Sequence, residues 1–508
     1  MAPVGQYLRF ATVFDLQANR RVRVLAAALR ASMPDGVREI YPGFGSVYVE
    51  WDDAQLSNDR ARAWVDAALD APEAELDDPR RITVPVAYGG LDTDDVATGT
   101  GLGPEEIARQ HAAGEYLVCA SASVGQPMMA GNDPSLRLPR RSTPRADVPA
   151  LAVAIANDQS TIYPAKMPGG WNVIGTALVN VYDPHRAEPF AFRLGDRVRF
   201  EPRPDTPPAP PERWPLLAPE PRLPAFRVED AGPLDLLLDG GRLNQAHHGM
   251  AQSGPLDLPG AWLANRLAGN RPGTTLIEST LSGPTLVALR DVVIGAAGRG
   301  MRLFVDEAPA PLITTLVRKG QRVSLRSAGV GVRGYLAVAG GIEAQPFLGS
   351  TCVDRIGLIG NPLQRGDVLG LAREVMPGHE MQARPEEVPY HLTIRLRRGP
   401  QWSQEAQDAL TAARFTVATG DRMGVRLEGP EVPGGEMLSE SPPPGAVQVP
   451  PSGAPILLLA DRQRSAGYDK PAVIHPDDLA LVGQLQPEER LRFTFAGDHP
   501  VPWFRDLS

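Results

Sequence analysis

Apolar residues in this chain gather into short runs cut off by Gly and Pro, as in VPVAYGG at 84–90, RGYLAVAGG at 333–341 and PILLLADRQ at 455–463. Runs of this length, rich in Val, Ile and Leu, predict short strands, and the punctuation between them predicts tight turns. Helical spacing is confined to a few places. Residues 20–33 and 59–71 carry it, on either side of a strand-like stretch at 46–51. In GPEEIARQHA at 103–112, Pro104 falls in a first turn where its missing N–H costs nothing, and Glu105 and Glu106 favour the positive end of the helix dipole. The fold class expected is mainly β with an α+β part.

The same pattern divides the chain. Residues 1–75 mix strand and helix and read as a small α+β domain, while 80–200 alternate apolar runs with turns, interrupted by one helix, and read as a β-rich unit. Residues 201–224, EPRPDTPPAPPERWPLLAPEPRLP, lose backbone donors at every proline and predict a stiff, extended linker. Beyond it, 225–375 and 388–500 read as two further β-rich closed units, with an acidic, proline-containing linker at 376–389.

Composition narrows the class further. A length of 508 residues allows three or four domains, each with its own core. The 51 Gly and 52 Pro are scattered rather than repeated, which excludes collagen-like and low-complexity chains. A net charge of −9 argues against nucleic acid as a main partner. Arg137, Arg140, Arg141 and Arg145 form a local basic run, read as a solvated face or a small-anion contact. Cys119 and Cys352 fall in separate predicted domains without metal-type spacing, which fits a reduced compartment, and no membrane-length apolar segment or leader stands out. A cytoplasmic protein acting on a small molecule, with neither membrane nor metal, is the expectation.

The candidate chemistry concentrates near the C-terminus. Residues 456–460 predict a buried strand, and Asp461, Arg462 and Gln463 would emerge together at its end, followed by Tyr468 and Lys470 in GYDK. A carboxylate, a guanidinium and an amide there either converge on a small polar ligand or close a barrel rim by an ion pair. Arg422 and Glu440 are candidate neighbours, as a cationic pocket or as structural ion pairs. In the N-terminal half, His111 at a predicted helix end is a candidate acid/base, or else a capping or core histidine. Tyr88, Gly89 and Gly90, followed by Asp92, Asp94 and Asp95, either surround a ligand or a divalent ion or form a solvated acidic turn. No phosphate-binding Gly-rich loop ending in Lys-Ser/Thr and no nucleophile elbow are present.

Longer motifs carry a family resemblance. QVPPSGAPILLLADRQ (448–463) with GYDK, GDRMGVRLEGP (420–430), SGPLD (253–257), SGPTL (282–286) and RGYLAVAGGIE (333–343) resemble the C component of bacterial 5-oxoprolinase and the related domain of urea amidolyase. VPVAYGG, ARQHAAGEY (108–116), LPRRSTPRADVPALAVAIA (138–156) and YPAKMPGGWNVIG (163–175) resemble its B component. The resemblance implies a B–C fusion with cyclophilin-like barrels, ATP-dependent opening of a lactam or amide with an A-type partner protein, and a possible homo-oligomer. A paralogue with a different reaction, or a regulator of a sensor kinase, is the alternative it leaves. It also implies ligand-facing roles for Asp239, Arg242, Ser253, Asp257, Asn265, Asn270 and Glu278, although the two asparagines equally suit loop fixing. The chain departs from the family pattern at 121–129, 238–245, 295–297 and 349–353.

Overall fold

The computed structural model describes residues 4–72, 76, 78–141, 143, 145–375, 392–497 and 503–508. The chain is mostly β. At its N-terminus, strands Val37–Pro42, Ser46–Trp51 and Val4–Arg9 form a sheet backed by helices Leu16–Ala31 and Asn58–Asp70. Asp15 caps the first helix by accepting from the Ala18 N–H, and Val22, Leu25 and Leu29, spaced by three and four, turn one face into the core. The fourth strand of this sheet, Trp503–Asp506, comes from the other end of the chain and lies parallel to Val4–Arg9. The expectation of a unit contained within 1–75 is corrected by that strand.

Seven strands then close into a barrel in the order Asn172–Ala177, Arg81–Tyr88, Arg197–Pro202, Tyr116–Ser121, Pro127–Ala130, Gln159–Ile162 and Ala152–Ala156. Alternate residues such as Val84 and Val86, with Tyr116, Val118 and Phe200, fill its interior. A second closed ring of seven strands lies near the C-terminus. There, Thr393–Arg398 pairs with both Arg490–Phe495 and Ala466–Ile474, and Glu436–Glu440 is added along Ala466–Ile474 outside the ring. Both rings are consistent with the cyclophilin-like barrels expected.

Between them, the pairing over 225–375 gives two sheets, of six and five strands, around one shared core rather than a single ring. The helix Leu258–Leu267 lies against Val292–Ala297 at Gly295, where an added Cβ would come within 2.2 Å of the Ala264 carbonyl. Only backbone can pass there.

The proline-rich segment differs from the expected linker in its second half. Trp214 donates to the Leu358 carbonyl at 2.8 Å and accepts from Gly360 at 2.8 Å, and Leu216 is buried in the central core. Two apolar side chains among the prolines are enough to dock it. The second predicted linker, 376–389, lies outside the described residues. GYDK lies inside the strand Ala466–Ile474, and the predicted strand at 456–460 is confined to Ile456–Leu458.

Candidate functional site

The 461–470 stretch does not act as one cluster, because its side chains divide among three sets of partners. Asp461 receives Arg422 Nε at 2.8 Å, and Arg422 also donates to Glu278 and, at 2.7 Å, to the Gly254 carbonyl. Burial opposes the charge on Arg422, but the two carboxylates hold it firmly cationic. Glu278 accepts in addition from Leu256 N–H and Tyr335 Oη. This network pins the C-terminal barrel to the central unit.

Arg462 donates to the Pro442 carbonyl at 3.0 Å and faces Glu50 at 3.7 Å, while Arg464 pairs with Glu39 at 3.0 Å. Both link the barrel to the N-terminal sheet. Burial lowers the Arg462 pKa to about 10 and raises Glu39 to about 7, partly offset there by Arg464. Gln463 is turned to Gln448 at 3.2 Å. Asp461 and Arg462 therefore fasten three units at their junction, Gln463 bonds within its own barrel, and the structure brings none of them to Lys470.

Lys470 and Glu440 meet elsewhere. The Lys470 ammonium, completely buried, lies 3.2 Å from Glu440 Oε1 and donates to the Tyr468 carbonyl at 3.1 Å. Burial pulls its pKa down, and Glu440 works against that shift. Glu440 also accepts from Arg9 at 3.1 Å and from Gln401 at 2.8 Å, so side chains from three other segments converge on one carboxylate. Arg9, Gln401 and Glu440 border a cleft of about 190 Å³, lined also by Ser46, Met437 and Ser439 among others, while Lys470 lies buried behind Glu440. Arg140 reaches in from the first barrel and donates to Ser439 Oγ at 3.2 Å. Residues of the N-terminal sheet and the C-terminal barrel thus line the opening, with Arg140 bound at its edge through Ser439. Tyr468 contributes its carbonyl, not its phenol, to this cluster.

Arg9, Gln401 and Ser439 escape a reading of the sequence, since nothing local marks them and the Arg9–Glu440 contact spans 431 positions. Arg140 belongs to the basic run expected as a solvated face or small-anion contact. Its neighbours Arg141 and Arg145 are instead committed to Asp92, at 2.6 and 2.5 Å, so Asp92 is no free ligand for a metal ion.

The other candidates have structural partners. His111 is wholly buried, with Nδ1 2.8 Å from Tyr88 Oη, Nε2 2.8 Å from Ser160 Oγ and its ring against Phe200. Burial lowers its pKa to about 3, so the catalytic reading gives way to a neutral core histidine bridging a helix and two strands. Gly89 donates to the Ile174 carbonyl, and an added Cβ at Gly90 would lie 2.5 Å from Gly175 N; this turn is a close backbone crossing. Asp239 accepts from Ser350, Thr351 and Gly241, and Arg242 is buried against the Phe347 and Cys352 carbonyls. Asp257 caps its helix through Gly260 N–H and receives Gln484. Asn265 and Asn270 hold loops by donating to the Thr274 and Val338 carbonyls. Ser253, at a φ of 55°, is buried with an unpaired hydroxyl.

Three of the four segments that depart from the family pattern meet at junctions rather than at the cleft. Asp239 binds the 350–352 loop, and Val124 and Gly125 donate to Gly249 and His248, just past the 238–245 segment. Among the described residues, no group of three His, Cys, Asp or Glu is placed to hold a metal, and no helix is long and apolar enough to cross a membrane.

Comparison with known proteins agrees with this architecture. Residues 3–192 match the family described as carboxyltransferase domain, subdomain C and D, and residues 248–495 match subdomain A and B. The C component of Escherichia coli 5-oxoprolinase is 32% identical over 280 residues, covering 53% of this chain and 90% of that protein. The B component of the same enzyme from Escherichia coli O157:H7 is 34% identical over 196 residues, covering 37% of this chain and 87% of that protein. The crystal structure of TTHA0988 superposes with a TM-score of 0.91 at 47% identity, covering 97% of this chain and 100% of that one. With a B-like half, a C-like half and one solved relative that spans both, the chain belongs to the carboxyltransferase-domain family of the 5-oxoprolinase B and C components, carried as a B–C fusion.

Proposed function

We propose that this chain is the B–C component of an ATP-dependent amidase, acting on a small lactam or amide that carries an anionic group. The observation that carries this reading is the cleft where the B-like and C-like halves meet. Arg9 and Lys470 meet Glu440 there, Arg140 binds the adjacent Ser439, and Asp469 is a further carboxylate beside Lys470. Such a set favours a ligand with one negative charge, and the volume suits a single small ring. Arg9 would hold the anionic group, with Arg140 beside it at Ser439, and Lys470 would hold the Glu440 carboxylate in place from behind. The relatives are named as components of a larger enzyme, and nucleotide binding is assigned to a separate A-type protein. The departures from the family pattern do not line the cleft, which supports a family-like substrate such as 5-oxoproline.

The test mixes the chain with an A-type 5-oxoprolinase protein, ATP and 5-oxoproline, and measures ADP and glutamate together. Release of both should require both proteins, and Arg9→Ala should abolish the dependence on 5-oxoproline. If the chain neither binds the A-type protein nor alters ATP cleavage with 5-oxoproline or any of a panel of small lactam acids, the proposal fails.

A further inference from the structure

The strand Trp503–Asp506 does more than finish a sheet. It runs parallel to Val4–Arg9 with Arg9 opposite Asp506, and Leu507 donates to the Arg9 carbonyl at 2.7 Å. Side chains alternate along Val4–Arg9, so Tyr7 and Arg9 share the face turned to the C-terminal barrel, where Tyr7 Oη donates to the Ser441 carbonyl and Arg9 reaches Glu440. Phe504, opposite Tyr7, projects to that same side, and the Arg9 guanidinium lies over its ring at 4.1 Å from the centroid. The tail is held at two more points: Arg505 pairs with Asp66, and Arg21 donates to the Leu507 carbonyl at 3.2 Å.

Arg9 has a long, flexible stem, and 15% of its side chain is open to solvent. Glu440 pulls one end of the guanidinium, but one contact at 3.1 Å does not fix a plane. A ring beneath that plane does, because an aromatic face attracts a cation and restricts it to stacked orientations. We infer that Phe504 is a positioning residue for the cleft, and that the C-terminal strand is a strap which orients Arg9 toward Glu440 and the bound anion. The chain's end thereby sets the geometry of a residue near its beginning. The link to substrate rests on the proposed function; the link to Arg9 does not.

The two are separated by reading them independently in the full-length chain. Selective ¹⁵N labelling of arginine, with the Arg9 Nε–H signal identified by its loss in Arg9→Lys, reports the ring directly. Phe504→Ala should shift and broaden that signal, and Phe504→Tyr should keep it near its wild-type position. In the assay with the A-type protein, Phe504→Ala should raise the KM for 5-oxoproline about five- to tenfold while changing kcat less than twofold, and Phe504→Tyr should stay within twofold in both. An Arg9 signal indifferent to Phe504→Ala overturns the inference, as does an unchanged KM in a wild-type chain that turns 5-oxoproline over. If the wild type does not use 5-oxoproline at all, the functional proposal is what has failed, and the Arg9 signal alone decides whether the strap positions it.

Discussion

Glu440→Gln is the sharpest perturbation of the cleft. Among the described residues, Glu440 supplies the carboxylate in ion-pair contact with Lys470; without it the ammonium keeps the Tyr468 carbonyl at 3.1 Å, the Met437 sulfur at 3.2 Å and the weaker attraction of Asp469. Removing one partner of a buried pair costs ~3–5 kcal/mol, because the other charge is left without compensation. The lower end is expected here, since Lys470 can shed its proton and its pKa is already pulled down by burial. About 3 kcal/mol corresponds to a roughly hundredfold change in a local opening constant. Hydrogen exchange of the amides in Glu436–Glu440 and Ala466–Ile474 measures it, with protection falling about a hundredfold at pH 7. The sign with pH follows from the lowered lysine pKa. The unfolded chain binds the proton more tightly than the folded one, so stability rises with pH, from the lowered folded value up to about 10.4. Glu440 opposes that shift in the wild type, so the variant depends on pH over a wider window. Its deficit should shrink steadily from pH 7 to 9.5, after correction for intrinsic exchange. A loss of less than threefold, or a deficit that is the same at both ends, would refute the reasoning.

Arg422→Met should cost ~3–5 kcal/mol by leaving Glu278 and Asp461 without their shared cation, while Asp461→Asn, at a partly exposed partner, should cost only ~1–2 kcal/mol. Thermal unfolding distinguishes them, and equal losses would count against the buried hub. The His111 imidazole resonances should stay fixed between pH 8 and 5, because its folded pKa is about 3. Its contribution to stability, complete above about pH 6.5, should fade as pH drops toward 3, which acid unfolding of His111→Gln would show by a flatter profile. Gly249→Ala should destabilise the junction of the halves by at least ~2 kcal/mol, since φ is +72° and the new Cβ would lie 2.0 Å from the Ala122 carbonyl; calorimetry would report it. Limited proteolysis should cut within 203–213, where the chain is largely exposed, and the nicked halves should still co-elute on gel filtration.

What can be read from the sequence is whatever is encoded locally. The strand Ser46–Trp51 is legible residue for residue, and the helices Leu16–Ala31, Asn58–Asp70 and Pro104–Ala113 fall close to their expected spans, because periodicity and caps are properties of neighbouring residues. The mainly β class follows from the same signal. Lys470 and Glu440 stand out by their motifs, yet their meeting is a product of strand pairing between Glu436–Glu440 and Ala466–Ile474. Arg462 looks like a ligand-binding residue in isolation; only the placement of Glu50, more than 400 positions away, shows it to be a fastener. His111 shows the reverse case, where a plausible acid/base is silenced by burial that no single residue announces. The strand Trp503–Asp506 has no local signature that could reveal its partner.

That last pairing also imposes an order on synthesis. Three strands of the N-terminal sheet are available once residue 51 has been made, but the neighbour of Val4–Arg9 on its open side is not made until residues 503–506. At ~5–20 residues per second, the ribosome needs about 20–90 s to cover that interval. Throughout it, Val4–Arg9 is an uncovered sheet edge with unpaired N–H and C=O groups, the kind of surface on which nascent chains stick to one another. A chain built this way should depend on chaperone cover early in translation and shed that dependence only when its last strand arrives.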